Sequence, residues 1–481
     1  MNSASTAQKR VVVIGGGITG LAAAHRLSEL DPKLLITLVE AGGRLGGVLQ
    51  TVRRDGFLIE RSADNFIANV PWAVELCRRI GFADQLIPTS SQQRNAFVVH
   101  NGRLEKVPLG FMLMAPSRIW PLLTTPILSP WGKVRLLGEY FVPRRKTDGD
   151  ESLASFARRR LGREAFERIV QPLVGGIYTA DPEKLSLEAT LPRFVEMERR
   201  HGGLIRGALR QRTASNEEEA EASSGARYGL FVAPRDGLSS MVEAIAARLP
   251  PETIRLNLPI ERITRGPDGR WSIHPAASAR NPADLQCDAV IVTVGADCAA
   301  GLIESVDREL SANLGRIAYA GTTIVSLAYR RDKISHALDG FGFVVPAVEK
   351  RRILAGSFAS VKFAGRAPDD MALVRVFVGG ACQSEIAELP DDELRRIAAD
   401  ELRMLLGTRA EPAFCDIARW PRSMPQYRLG HIKLVSEIES AAAKWPHFAL
   451  AGNAYHGVGI PNCIHSGRLA AERISASFEP A

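Results

Sequence analysis

The chain lacks what a metalloprotein, a disulfide-stapled domain or a membrane-spanning protein needs. Six cysteines, Cys77, Cys287, Cys298, Cys382, Cys415 and Cys463, are scattered over 481 residues. None stands in a C-x-x-C, and none pairs with histidines at ligand spacing, so no metal site is expected. That usage fits a reducing cytoplasm. No stretch of about eighteen apolar residues is free of proline and charge, so no spanning helix is expected. The opening Met1–Arg10 is short and polar, and no secretory signal is expected from it. Helix-turn-helix and RNA-binding signatures are missing, which argues against nucleic acid as a partner. G-x-S-x-G and H-E-x-x-H are missing too, so no side-chain nucleophile or metal-bound water is on offer.

What is present begins with bulk. A chain of this length exceeds a single core, so two or three domains are expected. The net charge of +8 suits an anionic ligand or an anionic membrane surface, or is simply a solvated basic exterior. Near the start, Val11-Val12-Val13-Ile14 runs into Gly15-Gly16-Gly17-Ile18-Thr19-Gly20, and an alanine-rich helix follows. The glycines stand at G-x-G-x-x-G. Gly15 permits the tight turn, Gly17 lets a pyrophosphate approach the backbone, and Gly20 lets the helix lie against the strand. The helix N-terminus then offers free N–H groups to the phosphates. A second strand, Leu34 to Val39, ends in Glu40, about twenty residues past the last glycine, where an acid accepts bonds from ribose hydroxyls. Near the other end, Ala451-Gly452-Asn453-Ala454-Tyr455-His456-Gly457-Val458-Gly459-Ile460-Pro461-Asn462 again takes a strand through glycines into a helix.

The run Glu40-Ala41-Gly42-Gly43-Arg44-Leu45-Gly46-Gly47 favours FAD over a nicotinamide cofactor. Its glycine pairs can pass under an extended ligand while Arg44 meets a phosphate bidentately. A second glycine fingerprint, which a nicotinamide reductant would need, is missing. Gly295 to Gly301 follows a strand, but its glycines are misplaced. The substrate itself is therefore expected to reduce the flavin, with dioxygen or another acceptor reoxidising it.

These residues resemble the flavin-dependent amine oxidase and porphyrinogen oxidase superfamily. The narrower resemblance is to the oxygen-dependent porphyrinogen oxidases of the haem pathway. It is carried by Gln171-Pro172-Leu173-Val174-Gly175-Gly176-Ile177-Tyr178-Thr179-Ala180-Asp181, by Arg419-Trp420-Pro421-Arg422-Ser423-Met424-Pro425-Gln426-Tyr427 and by Gly457-Val458-Gly459-Ile460-Pro461-Asn462-Cys463-Ile464. Residues 110–144 and Gly176-Ile177-Tyr178 look closest to the bacterial coproporphyrinogen III oxidases, with protoporphyrinogen IX oxidases as near neighbours. The resemblance implies a porphyrinogen substrate, three two-electron steps, three dioxygen consumed and three hydrogen peroxides released. It implies FAD held without a covalent bond, although Cys463, read as opening the last helix, stands where a thiolate would be favoured. Motif and resemblance together place the cofactor on Gly15, Gly16, Gly17, Ile18, Thr19, Gly20, Glu40, Ala41, Arg44, Gly46, Gly47, Val48, Ser62, Ala63, Asp64, Asn65, Ile260, Trp420, Gly452, Val458, Gly459 and Ile460. They place the substrate on Gly175, Gly176 and Tyr178, where two glycines admit a flat macrocycle or merely form a loop. Trp420 is either near the cofactor or a core tryptophan. Two departures from the family pattern matter. Glu60-Arg61-Ser62-Ala63-Asp64-Asn65 lacks its Gly-Pro turn, and Asn462, read as a helix cap, replaces an aspartate.

The expected fold is α/β, with a discontinuous Rossmann-like FAD-binding domain (1–90, 228–303 and 440–481), a helical insert (91–227) and an α+β substrate domain (304–439). In the insert, Asp150 or Ser152 is expected to cap a helix closed by Gly162, and a second helix is expected to end before Pro172. The segment from Phe111 to Trp131 is apolar and proline-punctuated. It reads as a cavity wall, a membrane-facing surface or a stretch buried against the helices. Residues 215–225 read as a solvated loop. Peripheral contact with the inner face of the cell membrane, or with the next enzyme, is the remaining partner expectation.

Overall fold

Two sheets, of five and seven strands, organise the chain. The structure is a computed structural model that describes residues 8–90, 95–116, 118–146, 149–214, 231–279 and 283–479. The loop expected at 215–225 lies outside them.

The first sheet has five parallel strands in the order Ile254–Arg255, Leu35–Val39, Arg10–Ile14, Ala289–Val292, Phe448–Leu450. Parallel strands covered on both faces read as unbroken apolar runs, and Val11 to Ile14 and Ala289 to Val292 are fully buried. On one face lie the helices Ile18–Leu30 and Ile460–Ala476. Gly467 sets their approach: a Cβ there would stand 2.2 Å from the Thr19 carbonyl oxygen. The first and last helices of the chain are thus in backbone contact.

The second sheet has seven strands in the order Phe414–Pro425, Tyr319–Arg330, Met371–Gly379, Ala355–Phe358, Gly340–Val344, Asn95–His100, Arg103–Lys106. The helix Asp391–Leu406 covers one face, and Gly407 ends it in the left-handed region at φ 64°. The last two strands of this sheet come from the stretch expected to be a helical insert. Residues 91–227 therefore open on a hairpin. Val98 and Val99 are β-branched and buried, and the pleated sheet accepts them better than a helix would.

After a second, two-residue hairpin, Phe111–Met112 with Ala115–Pro116, the described part of the insert is mainly helical. Ser152, not Asp150, caps Leu153–Leu161 by accepting from Ser155 N–H, and Gly162 closes it at φ 91°. Asp150 instead accepts from Ser186 Oγ at 2.8 Å and Gly430 N–H at 2.9 Å. The next helix does not end before Pro172. Phe166–Val170 widens into a π turn, and the helix continues as Gln171–Tyr178 with the proline in its first turn. The wider turn accommodates a residue that has no N–H to give and a ring that would strike the preceding carbonyl. Arg160 and Glu139, both fully buried, form an ion pair at the insert's centre, and Glu139 also accepts from Leu204 and Ile205 N–H. No helix among the described residues is long and apolar enough to cross a membrane.

Candidate active site

The N-terminal turn is built as its spacing predicts. Gly15 has φ 112°, a conformation that side chains resist. Gly20 is needed for packing, since a Cβ there would lie 1.9 Å from the Gly15 carbonyl oxygen. Gly17 has neither reason. Its φ is −71° and its ψ 177°, ordinary extended backbone. A Cβ on it would meet nothing within 4 Å. The open space above Gly17 is a cradle that a side chain would enter without touching protein. Gly17 is also the N-cap of Ile18–Leu30, and no side chain caps that helix. An uncapped helix start facing open space is what an anionic diphosphate requires.

Glu40 ties the surrounding loops. Its carboxylate accepts from Gly16 N–H and Gly42 N–H, each at 2.8 Å. Gly46 N–H donates to Gly16 O at 2.8 Å, so the loop from Ala41 to Val48 lies against the turn. Arg44 is exposed and braces its own loop with three of its five N–H donors. Its guanidinium donates to the carbonyls of Leu45 at 3.1 Å, Leu49 at 3.0 Å and Gly47. Ile260 opens a strand beyond Leu258, whose N–H donates to Glu40 O at 2.9 Å.

The segment Ser62 to Asn65 is held from the second sheet. Asp64 is buried, with Lys362 Nζ at 3.0 Å and Arg375 Nη1 at 3.1 Å. Arg375 also donates to Ser62 O. Burial pushes the Asp64 carboxyl up, but the two cations outweigh it and bring its pKa down to about 2. Ser62 Oγ is buried with no hydrogen-bond partner among the described residues. Trp420 donates from Nε1 to Arg61 O at 2.5 Å, and Arg61 forks onto Asp416. The lost Gly-Pro turn is thus replaced by charge pairing. Sequence reading missed Lys362, Arg375 and Asp416. Arg375 had a signal, a lone cation inside Leu373-Val374-Arg375-Val376-Phe377-Val378. Lys362 had none.

The C-terminal loop is pinned by Tyr427. Its hydroxyl donates to Asn453 O at 2.6 Å and accepts from Gly457 N–H at 2.7 Å. The ring stacks on His431 at 3.9 Å, and His431 Nε2 meets Tyr455 O at 3.2 Å. Gly452 N–H donates to Ser466 Oγ at 3.0 Å. Gly459, not Asn462, is the N-cap of Ile460–Ala476. Asn462 sits inside the first turn and donates from Nδ2 to His456 O at 3.3 Å, which removes it from the capping position. Cys463 does not open the helix either. It lies within it, buried, and burial pushes its thiol up to about 11, so it is no thiolate.

Gly175 and Gly176 are helical, not in a loop, because the π turn carries the helix past Pro172. Gly176 faces Val344 Cγ1, at 3.5 Å from an added Cβ. Tyr178 donates to Thr190 O at 2.9 Å. Val458, Val344 and Tyr178 all pack against the insert's core, which brings the C-terminal loop, the second sheet and this helix to one place.

Residues 18–475 match the family model described as flavin containing amine oxidoreductase. The chain is similar to the coproporphyrinogen III oxidase of Bacillus subtilis, 32% identical over 97% of this chain and 98% of that one. It is similar to the coproporphyrinogen III oxidase of Propionibacterium freudenreichii, 35% identical over 96% and 90%. A solved Exiguobacterium structure, provisionally named a protoporphyrinogen oxidase, superposes with a TM-score of 0.86 at 29% identity, covering 98% and 99%.

The Asp64 cluster predicts a pH dependence. A carboxyl held below its unfolded value stabilises the fold above about pH 4, and the contribution is lost as pH falls toward 2. Asp64→Asn should cost about 2 kcal/mol at pH 7. Denaturant unfolding should show the gap to the parent protein narrowing between pH 4 and 3. A gap that stays constant over that range contradicts the assignment.

Proposed function

Because the chain belongs to the flavin-containing amine oxidoreductase family, we propose that it is an FAD-dependent oxidase converting coproporphyrinogen III to coproporphyrin III in haem biosynthesis. One observation carries the reading. A phosphate-binding turn at one end and a glycine loop at the other close on a single site, in a chain alike over nearly its full length to coproporphyrinogen III oxidases. When bound, FAD would supply a two-electron acceptor for a hydride from a bridging carbon, with dioxygen as the terminal oxidant. Three rounds consume three dioxygen and release three hydrogen peroxides.

The chain's own residues bind, orient and exclude water. Gly17 and the uncapped helix start hold the diphosphate, with Ile18, Thr19 and the Gly46-Gly47 loop beside them. Glu40 has lone pairs left for ribose hydroxyls after accepting from Gly16 and Gly42. Arg44 supports the loop from within. Ser62 Oγ, buried without a partner among the described residues, is available to the ring system. Asp64, Lys362 and Arg375 hold the Ser62 backbone, and Tyr427 fixes the loop ahead of Val458 and Gly459. Gly175 and Gly176 leave a helix face that a flat macrocycle can approach. No side-chain nucleophile is called for: with three hydrides taken from bridging carbons, the three accompanying protons, two from pyrrole N–H and one from the fourth bridging carbon, leave to water.

The cofactor is held without a covalent bond, because the buried Cys463 thiol is pushed away from the thiolate form. Acid or heat should release the yellow colour from the precipitated chain. Gly17→Val should fold normally and lose most of its flavin, since its side chain meets no protein but fills the cradle. A folded variant with stoichiometric flavin contradicts the site.

Coproporphyrinogen III carries four carboxylates and protoporphyrinogen IX two. Porphyrin fluorescence should appear faster from coproporphyrinogen III at both low and high salt, because close ion pairs in a pocket are screened little. A preference for protoporphyrinogen IX in both conditions would select that substrate instead.

The apolar insert segment divides. Phe111, Leu113, Met114, Ile127 and Leu128 are buried, whereas Trp120, Trp131 and Phe141 are 75%, 82% and 79% exposed. Val134, Ile119 and Leu109 are exposed with them, and Lys133, Arg144 and Lys146 flank the patch. Aromatic rings beside cations fit an anionic bilayer surface. The protein should co-sediment with phosphatidylglycerol vesicles and less with phosphatidylcholine vesicles. The combined Trp120→Ala, Trp131→Ala and Phe141→Ala variant should stay in the supernatant. Binding unaffected by those three changes contradicts a membrane face.

A further inference from the structure

The substrate reading leaves the macrocycle's carboxylates without named partners, and one side chain has the properties of such a partner. Arg193 is the second residue of the helix Pro192–His201. A cation there faces the positive end of the helix dipole, where it is disfavoured. The acids near it in sequence are engaged elsewhere: Glu188 lies 3.8 Å from Arg199, Glu196 pairs with Arg200 at 2.5 Å, and Glu198 with Arg159 at 2.7 Å. The Arg193 guanidinium stacks 4.5 Å from the Phe194 ring centre, which offsets part of the cost. Solvent reaches the residue. Yet protein crowds its head group enough that burial lowers its pKa, against the opposing pull of Tyr178. Arg193 is thus an exposed cation stacked on an aromatic ring at a helix start, a stretch of surface where no acid among the described residues pairs with it.

Tyr178 locates that surface. It ends the helix that carries Gly175 and Gly176, and its hydroxyl donates to Thr190 O at 2.9 Å. That bond ties this helix to the turn that starts the Arg193 helix. The same tyrosine lies within electrostatic reach of Arg193, and burial pushes its own pKa up to about 12. We propose that Arg193 binds a carboxylate of the porphyrinogen, beside the glycine pair that admits its flat ring. The assignment rests on the porphyrinogen reading. Arginine's planar fork matches a carboxylate with two parallel bonds, and a bound carboxylate supplies a counter-charge that no acid among the described residues does.

The test compares coproporphyrinogen III with its tetramethyl ester, which has the same ring and no carboxylates. Flavin-loaded parent protein, R193Q and R193K are assayed for kcat and KM, with flavin content and melting temperature as checks on folding. R193Q should raise KM for the tetra-acid roughly 10- to 100-fold, the range for a hydrogen bond to a charged group. Its kcat should be unchanged, as expected when binding common to ground and transition states is removed. Its KM for the ester should equal that of the parent protein. R193K keeps the charge and loses the fork, and should fall in between. An unchanged KM for the tetra-acid in R193Q, or an equal rise for acid and ester, overturns the assignment. Should R193Q not fold, a parental KM in R193K overturns it likewise. Parent protein that turns over neither compound overturns the substrate reading, and the Arg193 assignment with it. Turnover by the parent with no effect of Arg193 overturns the assignment alone.

Discussion

A buried carboxylate held by two cations from a distant part of the chain constrains everything around it. Asp64 lies between the strands Phe57–Glu60 and Phe66–Ile67; its cations are Arg375, from the second-sheet strand Met371–Gly379, and Lys362, from the short helix Ala359–Lys362. An ionised carboxylate away from water is tolerated only when paired, and so are the cations that pair with it. Neither segment can shift without stranding charge on both sides. Arg375 then places Ser62, and Trp420 places Arg61, by bonds to their carbonyl oxygens. One backbone segment is thereby fixed from two strands of the opposite sheet.

The same logic of forced proximity governs the chain ends. The first helix and the last pack at the distance of a glycine, where Gly467 meets the Thr19 carbonyl. That contact brings the loop before the last helix to the phosphate turn before the first. Tyr427, arriving from the second sheet, bonds this loop at Asn453 and Gly457. The site is therefore a junction of three bodies, each carrying one essential backbone turn. Loops held by a rigid scaffold in this way can be positioned closely without being buried themselves.

Local signals made the first sheet, the tight glycine turn after its first strand and the fold class readable. Apolar four-residue runs mark parallel strands, and glycine spacing marks the turn, because both are dictated by backbone sterics. Long-range features were not. A π turn lets a helix run through Pro172, and no residue-level rule announces it. The hairpin Asn95–Lys106 belongs to a sheet whose other strands begin more than two hundred residues later, so its partner could not be seen locally. Charge partners such as Lys362 are set by tertiary geometry, and only a cation inside an apolar strand, as at Arg375, betrays itself. That Arg44 also braces its own loop, through the carbonyls of Leu45, Leu49 and Gly47, could not be read from spacing.

A porphyrinogen that reduces the flavin directly at this junction needs no nicotinamide intermediary. The most direct measurement is anaerobic mixing of the yellow protein with coproporphyrinogen III, followed by admission of oxygen. The account requires the yellow absorbance to bleach as porphyrin forms, and to return with hydrogen peroxide once oxygen enters. A flavin that keeps its colour under excess porphyrinogen, and bleaches only with a nicotinamide reductant, would contradict it.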